Sequence, residues 1–222
     1  MNNDKTYRNA FILVTTLFFT WGFLTVLVDS PISRFREIFT LSYFESGLVQ
    51  FAFFGAYFLL SIPAGYILTR IGYQKGIILG LVTMAIGCFL FYPAASLRMF
   101  GLFMLGYFIL AGGMTILQVA ANPYVAALGS EETSSSRLIL SQAFNSLGTA
   151  IAPSVGAIYF LSDKILSKKE IDLLDVKSRD LYYIGEASAV QGPFIFFGCF
   201  LIAIAMVFFF IKLPSLISEK EG

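Results

Sequence analysis

Thr115, Gln118 and Asn122 are polar residues spaced i, i+3 and i+7 inside an apolar stretch long enough to cross a bilayer, with Pro123 directly after them. On a 3.6-residue helix they fall in one narrow sector, so a hydroxyl and two amides point the same way, and not at lipid. Gln142, Asn145 and Thr149 repeat the spacing further along. Two such stripes imply a shared wet cavity. An amide offers both donor and acceptor, which suits sugar hydroxyls, but amides also hydrogen-bond one membrane helix to another, and both readings stand. Trp21, the single tryptophan, lies next to Gly22, where its ring could stack on the apolar face of a sugar or simply pack in the core.

Gly22, Thr25 and Asp29 share a second helical face, again at i, i+3 and i+7. A charged carboxylate inside a membrane costs about 2.5 to 3.5 kcal/mol at a helix centre, so Asp29 must face water, a partner or a proton. It reads as a proton- or cation-coupling site, or as a cap on the helix end near Pro31.

The elements that must position these residues follow from composition. Of 222 residues, 57% are hydrophobic and only 13% charged, with 25 Phe, which no soluble domain resembles. Apolar windows of about 20 residues fall near 9–28, 46–68, 76–96, 99–128, 138–161 and 189–213. The chain reads as an all-α integral membrane protein with six transmembrane helices, the first serving as its own insertion signal. A net charge of +1 gives no reason to expect nucleic acid as a partner. Histidine is absent, which removes serine–histidine hydrolysis and most zinc chemistry; no enzyme activity, metal or cofactor is expected. Cys88 and Cys199 sit in separate spans and read as packing residues.

With the N-terminus inside, the inner segments carry Lys5, Arg8, Arg70, Lys75, Arg137, Lys212 and Lys220, against Arg34, Arg36 and Arg98 in the short outer loops. The outer loop 162–188 balances its own acids and bases, and is discounted in setting the orientation. Its Leu166, Leu173, Leu174 and Leu181 among charges suggest a short amphipathic helix on the bilayer or bundle surface, with a solvated connector as the alternative. Residues 90 apart echo each other: Gly22, Thr25 and Leu27 with Gly112, Thr115 and Leu117, and Pro63 with Pro153. That is the scale of a three-plus-three inverted repeat.

Between the second and third spans, Gly65-Tyr66-Ile67-Leu68-Thr69-Arg70-Ile71-Gly72-Tyr73-Gln74-Lys75-Gly76 is a tight inner turn with two cations at the membrane face. This segment resembles the signature loop of the major facilitator superfamily, with Gly65, Arg70, Gly72 and Lys75 as a cytoplasmic gate loop and Thr69 where an aspartate is usual. The blocks Phe19 to Thr25, Val49 to Phe58, Gln118 to Val125 and Ser141 to Gly148 resemble the fucose permease and glucose/galactose transporter family.

That resemblance implies a sugar–cation symporter of a bacterial inner membrane working by alternating access, coupled to H+ or Na+. It implies a coupling role for Asp29 and sugar contacts by Trp21, Gln118, Asn122, Gln142 and Asn145. In fucose-type members an acid occupies the position of Gln118, so a relay between two carboxylates is not implied here. Complete members have twelve spans, so residues 1–222 resemble the N-terminal half of that fold, both termini cytoplasmic and the C-terminal half absent. The expected partners are a monosaccharide, the bilayer, and either that missing half or a second six-helix subunit. A non-transporting helix bundle, a remnant or an assembly or sensing subunit, is the competing expectation.

Overall fold

In the computed structural model, residues 2–29, 42–160, 166, 168–211, 213 and 214 are described, and all regular structure among them is helical. The helices are α1 (Asn2–Asp29), α2 (Tyr43–Ile71), α3 (Tyr73–Leu97), α4 (Phe100–Ala127), α5 (Ser134–Phe160), α6 (Lys168–Asp172) and α7 (Val176–Phe210). A 3-10 turn, Glu131–Thr133, precedes α5. Of these, α1, α2, α3, α4 and α7 are long and apolar enough to cross a membrane. α5, the fifth expected span, is as long at 27 residues but less apolar, because Ser141, Gln142, Asn145, Ser146 and Thr149 interrupt it.

Local chemistry sets the helix ends. Ser42 and Glu45 form a capping box at the start of α2: Glu45 N–H donates to Ser42 Oγ at 3.2 Å and Ser42 N–H to Glu45 Oε2 at 2.8 Å. These bonds from the Ser42 backbone and hydroxyl hold the exposed Glu45 carboxyl below the usual carboxylate range. α2 stops at Gly72, whose φ of 80° a side chain would strain, and α3 starts one residue later. Arg137 closes α4 from across the next turn, donating to the carbonyls of Val125 at 3.2 Å and Ala126 at 2.6 Å. Pro63, Pro93, Pro123, Pro153 and Pro193 all lie inside helices, as membrane helices tolerate when neighbours satisfy the freed carbonyls.

α1 packs along α5, α2 along α4, and α3 along both α4 and α7. Exchanging α1, α2 and α3 for α4, α5 and α7 turns the α1–α5 pair into α4–α2 and maps α3–α7 onto itself, as in an internal three-plus-three repeat, whereas the α3–α4 hairpin maps onto α7–α1, which make no comparable contact among the described residues. The α3–α4 hairpin is the tightest contact. A Cβ on Gly113 would stand 2.5 Å from Met84 N and 2.7 Å from Gly80 O; one on Gly80 would stand 2.9 Å from Gly113 O. Backbone therefore lies on backbone, the small-residue packing that substitutes for a hydrophobic drive in lipid. Above this seam Phe91 stacks on Phe194 at 4.2 Å and meets Phe103 at 5.3 Å, joining α3, α7 and α4. Large apolar side chains point outward elsewhere, Phe51, Phe54, Phe58 and Ile62 on α2 among them, which is ordinary for a surface in lipid.

The expected outer loop is shorter than 162–188. α6 is a short helix within it, but from Val176 the chain is already in α7. Asp175 starts that helix by accepting from Ser178 N–H, and the charged residues Lys177, Arg179 and Asp180 extend an apolar span rather than belong to a separate surface element. Of the outer-loop arginines, Arg34 and Arg36 lie outside the described residues, as do Pro31, Lys164, Lys212 and Lys220.

Candidate functional site

Trp21, Tyr57 and Gln118 come together from α1, α2 and α4. At 1.5 Å per residue, each lies within about 7 Å of the midpoint of its span. Gln118 Nε2 donates to the Tyr57 hydroxyl at 2.8 Å, and the Trp21 side chain comes close to the same hydroxyl. The Trp21 ring is held edge-on by Phe18 at 5.6 Å, and the Tyr57 ring by Phe53 at 5.3 Å. All three groups are half-buried. This is a polar cluster on an open face, while the larger cavities lie elsewhere, such as one of about 450 Å³ lined by Phe23, Val155, Pro193 and Phe197.

The rest of the α4 stripe divides. Thr115 is 2% exposed and donates to Ala111 O within its own helix at 2.9 Å, so its polarity is spent locally. Asn122 Oδ1 is buried with no hydrogen-bond partner among the described residues, an acceptor with unused capacity one turn below Gln118.

The α5 stripe divides too. Asn145 Nδ2 donates to Phe18 O at 3.0 Å, clasping α5 to α1 where a Cβ on Gly22 would stand 2.2 Å from Asn145 O. One turn on, a Cβ on Gly148 would stand 2.4 Å from Phe19 O, and one turn back Thr15 and Ser141 share a hydrogen bond at 3.1 Å. Asn145 thus serves the helix contact. Thr149 donates to Ser146 O at 2.8 Å, while the Gln142 amide, half-buried, has no hydrogen bond among the described residues. Asp29 ends α1, and its side chain lies outside the described residues.

At the other end, the gate-loop residues Gly65, Arg70, Gly72 and Lys75 surround the α2–α3 turn. Arg70 lies over the Tyr66 ring at 4.6 Å and donates to its hydroxyl, Lys75 is exposed, and a Cβ on Gly65 would meet nothing within 4 Å. Gln74 does more here than the cations flanking it. Its Nε2 donates to the carbonyls of Phe208 and Ile211, each at 2.7 Å, and its Oε1 accepts from Leu213 N–H at 3.2 Å. Tyr124 adds a bond to Pro214 O at 3.3 Å, so the end of α7 is tied to the turn and to α4.

A family model described as Major Facilitator Superfamily matches residues 10–221. The chain belongs to the Major Facilitator Superfamily. Within the superfamily it is 45% identical to the glucose/galactose transporter of Brucella abortus biovar 1 (strain 9-941), over 100% of this chain and 52% of that one. It is 36% identical to the L-fucose-proton symporter of Escherichia coli (strain K12), over 99% of this chain and 50% of the relative. The crystal structure of the E. coli fucose:proton symporter FucP superposes with a TM-score of 0.85 at 33% identity, covering 95% of this chain and 50% of that one. The chain spans about half the length of the curated relatives it matches. These relatives of the superfamily member are transporters and not enzymes, and its apolar helices make it a multi-pass membrane protein.

Three residues of this superfamily member were not singled out from sequence. Tyr57 stood inside the block Val49 to Phe58, with nothing to separate it from the chain's ten other tyrosines except its distance from the span ends. Gln74 was hidden between two residues of a positively charged turn. Glu186, an acid only 6% exposed on α7, was read as part of the outer loop; a glutamate inside an element that proves helical was the available signal.

Proposed function

We propose that the chain is the N-terminal six-helix half of a cation-coupled monosaccharide transporter, working by alternating access with a second six-helix unit. The observation that carries this is the convergence of Trp21, Tyr57 and Gln118 near mid-membrane with hydrogen-bonding capacity left over, in a chain whose relatives are named as glucose/galactose and fucose transporters. Gln118, Asn122 and Gln142 offer amide groups to sugar hydroxyls, and the Trp21 ring offers an apolar face. Asn145 stiffens the α1–α5 wall behind them, with its carbonyl oxygen still available to ligand. Asp29 carries the coupling H+ or Na+; with Gln118 neutral, no second acid on α4 shares that task.

The remaining unit is the C-terminal half or a second subunit, docked so that the polar cluster faces it across the substrate. Gly65, Arg70, Gly72 and Lys75 act at the cytoplasmic side, where the α2–α3 turn meets that unit as the two halves rock. The positive-inside distribution supports cytoplasmic termini, and the bacterial relatives support an inner-membrane location.

Counterflow of labelled glucose, galactose and fucose in proteoliposomes tests this, with the chain alone and with a complementing second half. Exchange of at least one sugar in the complemented vesicles is expected. Its absence for every monosaccharide, with both units inserted, would return the chain to a non-transporting bundle.

A further inference from the structure

We propose that Tyr57 is a sugar-binding residue whose phenolic O–H donates to one hydroxyl of the monosaccharide held beside Gln118 and Trp21. This rests on the sugar reading above, and it follows from counting hydrogen-bonding sites. A phenol oxygen has one proton and two acceptor positions. At Tyr57 an acceptor position is taken by Gln118 Nε2, which donates at 2.8 Å, with the Trp21 indole, a group that can only donate, close by. The proton is what remains, and it finds no acceptor among the described residues. Because Phe53 packs on the ring at 5.3 Å and Gln118 holds the oxygen, the O–H has little choice of direction.

Gln118 is left in the complementary state. Its N–H is given to Tyr57, and its Oε1 accepts from nothing among the described residues. One anchored hydrogen bond therefore presents a donor and an acceptor side by side, from α2 and α4. A sugar hydroxyl is the group that satisfies both, accepting from Tyr57 and donating to Gln118. Trp21 beside them supplies a ring for the C–H face of the same sugar. The direction of the Gln118–Tyr57 bond thus decides which sugar oxygen can be held: an acid in place of the amide would accept the Tyr57 proton and leave the hydroxyl no donor.

Trp21 is the chain's one tryptophan, so its emission reports on this cluster without labelling. The full chain in lipid nanodiscs is titrated with galactose, glucose and each of their monodeoxy analogues, for the wild type, Tyr57→Phe and Gln118→Glu. In the wild type, removing one particular hydroxyl is expected to weaken binding about tenfold, the worth of one good neutral hydrogen bond. In Tyr57→Phe the intact sugar weakens by about the same factor, and that one analogue shows no further loss. Gln118→Glu at neutral pH reproduces this pattern with the phenol still present, which separates lost donation from a merely disturbed fold. Equal losses across all analogues in both variants, or full discrimination kept by both, would overturn the assignment of Tyr57. A wild type with no saturable response to any sugar, while Tyr57→Phe still shifts the Trp21 emission, would instead overturn the sugar reading and the ligand with it.

Discussion

Gly113→Ala places a methyl group where the α3 backbone already is. The new Cβ would stand 2.5 Å from Met84 N and 2.7 Å from Gly80 O, and ordinary contact begins near 3.4 Å. α3 and α4 must therefore separate by about 0.9 Å, and backbone cannot rotate aside as a side chain can. Overpacking of this kind costs about 1 to 3 kcal/mol, and alanine returns about 1 kcal/mol through helix propensity, which leaves a net loss of about 0 to 2 kcal/mol. Gly55→Ala in α2 is the matched control, because a Cβ there meets nothing within 4 Å and only the propensity gain remains. The two variants should differ by about 1 to 3 kcal/mol, roughly 2 to 12 °C in melting temperature for a chain of this size. Cys88 supplies the assay. It is 1% exposed in the α3 core, so with Cys199→Ser as background a thiol-reactive dye labels the protein only as it unfolds. Equal melting temperatures for Gly113→Ala and Gly55→Ala would refute the backbone-on-backbone seam.

Asn145→Ala should lower the melting temperature through loss of the Phe18 clasp, by the equivalent of about 1 kcal/mol. An unchanged melting temperature together with a weakened sugar response would mark Asn145 as a ligand residue instead. Gln74→Leu should raise hydrogen exchange at the Leu213 amide at least tenfold, since it removes that amide's acceptor and both donors to the end of α7; unchanged exchange would mean that other contacts hold the segment. The Glu45 carboxyl is held below the usual carboxylate range by Ser42, so the capping box is complete above that range and is lost as pH falls through the lowered value. Protection of the Glu45 amide should fade on that acid limb and be absent at every pH in Ser42→Ala, and a pH-independent protection would contradict the cap.

The six long helices were legible because length and apolarity in a bilayer leave little choice of structure, whereas the caps at Ser42 and Gly72 extend α2 and α3 beyond the apolar windows 46–68 and 76–96. The start of α7 was not legible, because Lys177, Arg179 and Asp180 carry the composition of a loop, whereas a helix leaving the membrane remains helical if its N-terminus is capped, as Asp175 does here. Periodicity found both polar stripes but could not divide them. Gln118 and Thr115 share a sector of α4, yet one reaches Tyr57 on another helix and the other bonds its own backbone, and only the neighbour's position decides which. Tyr57 shows the same limit: its role comes from Gln118 on α4 and Trp21 on α1 meeting at its hydroxyl, which no spacing within α2 records.

The glycine contacts have a mechanical consequence. Between α3 and α4, and between α1 and α5 at Gly22 and Gly148, the helices meet mainly backbone to backbone, with only short reaches of side chains such as Met84 and Asn145 beside the contact, so each pair behaves as a stiff member. α2 and α7 are bound to the α3–α4 member, while the α1–α5 member meets it chiefly through α4. The bundle is then two beams with one joint, and Trp21, on one beam, stands beside Tyr57 on the other, across it. Whatever occupies that cluster acts on the joint as well as on the cluster, and a load applied there is felt by the whole of each beam.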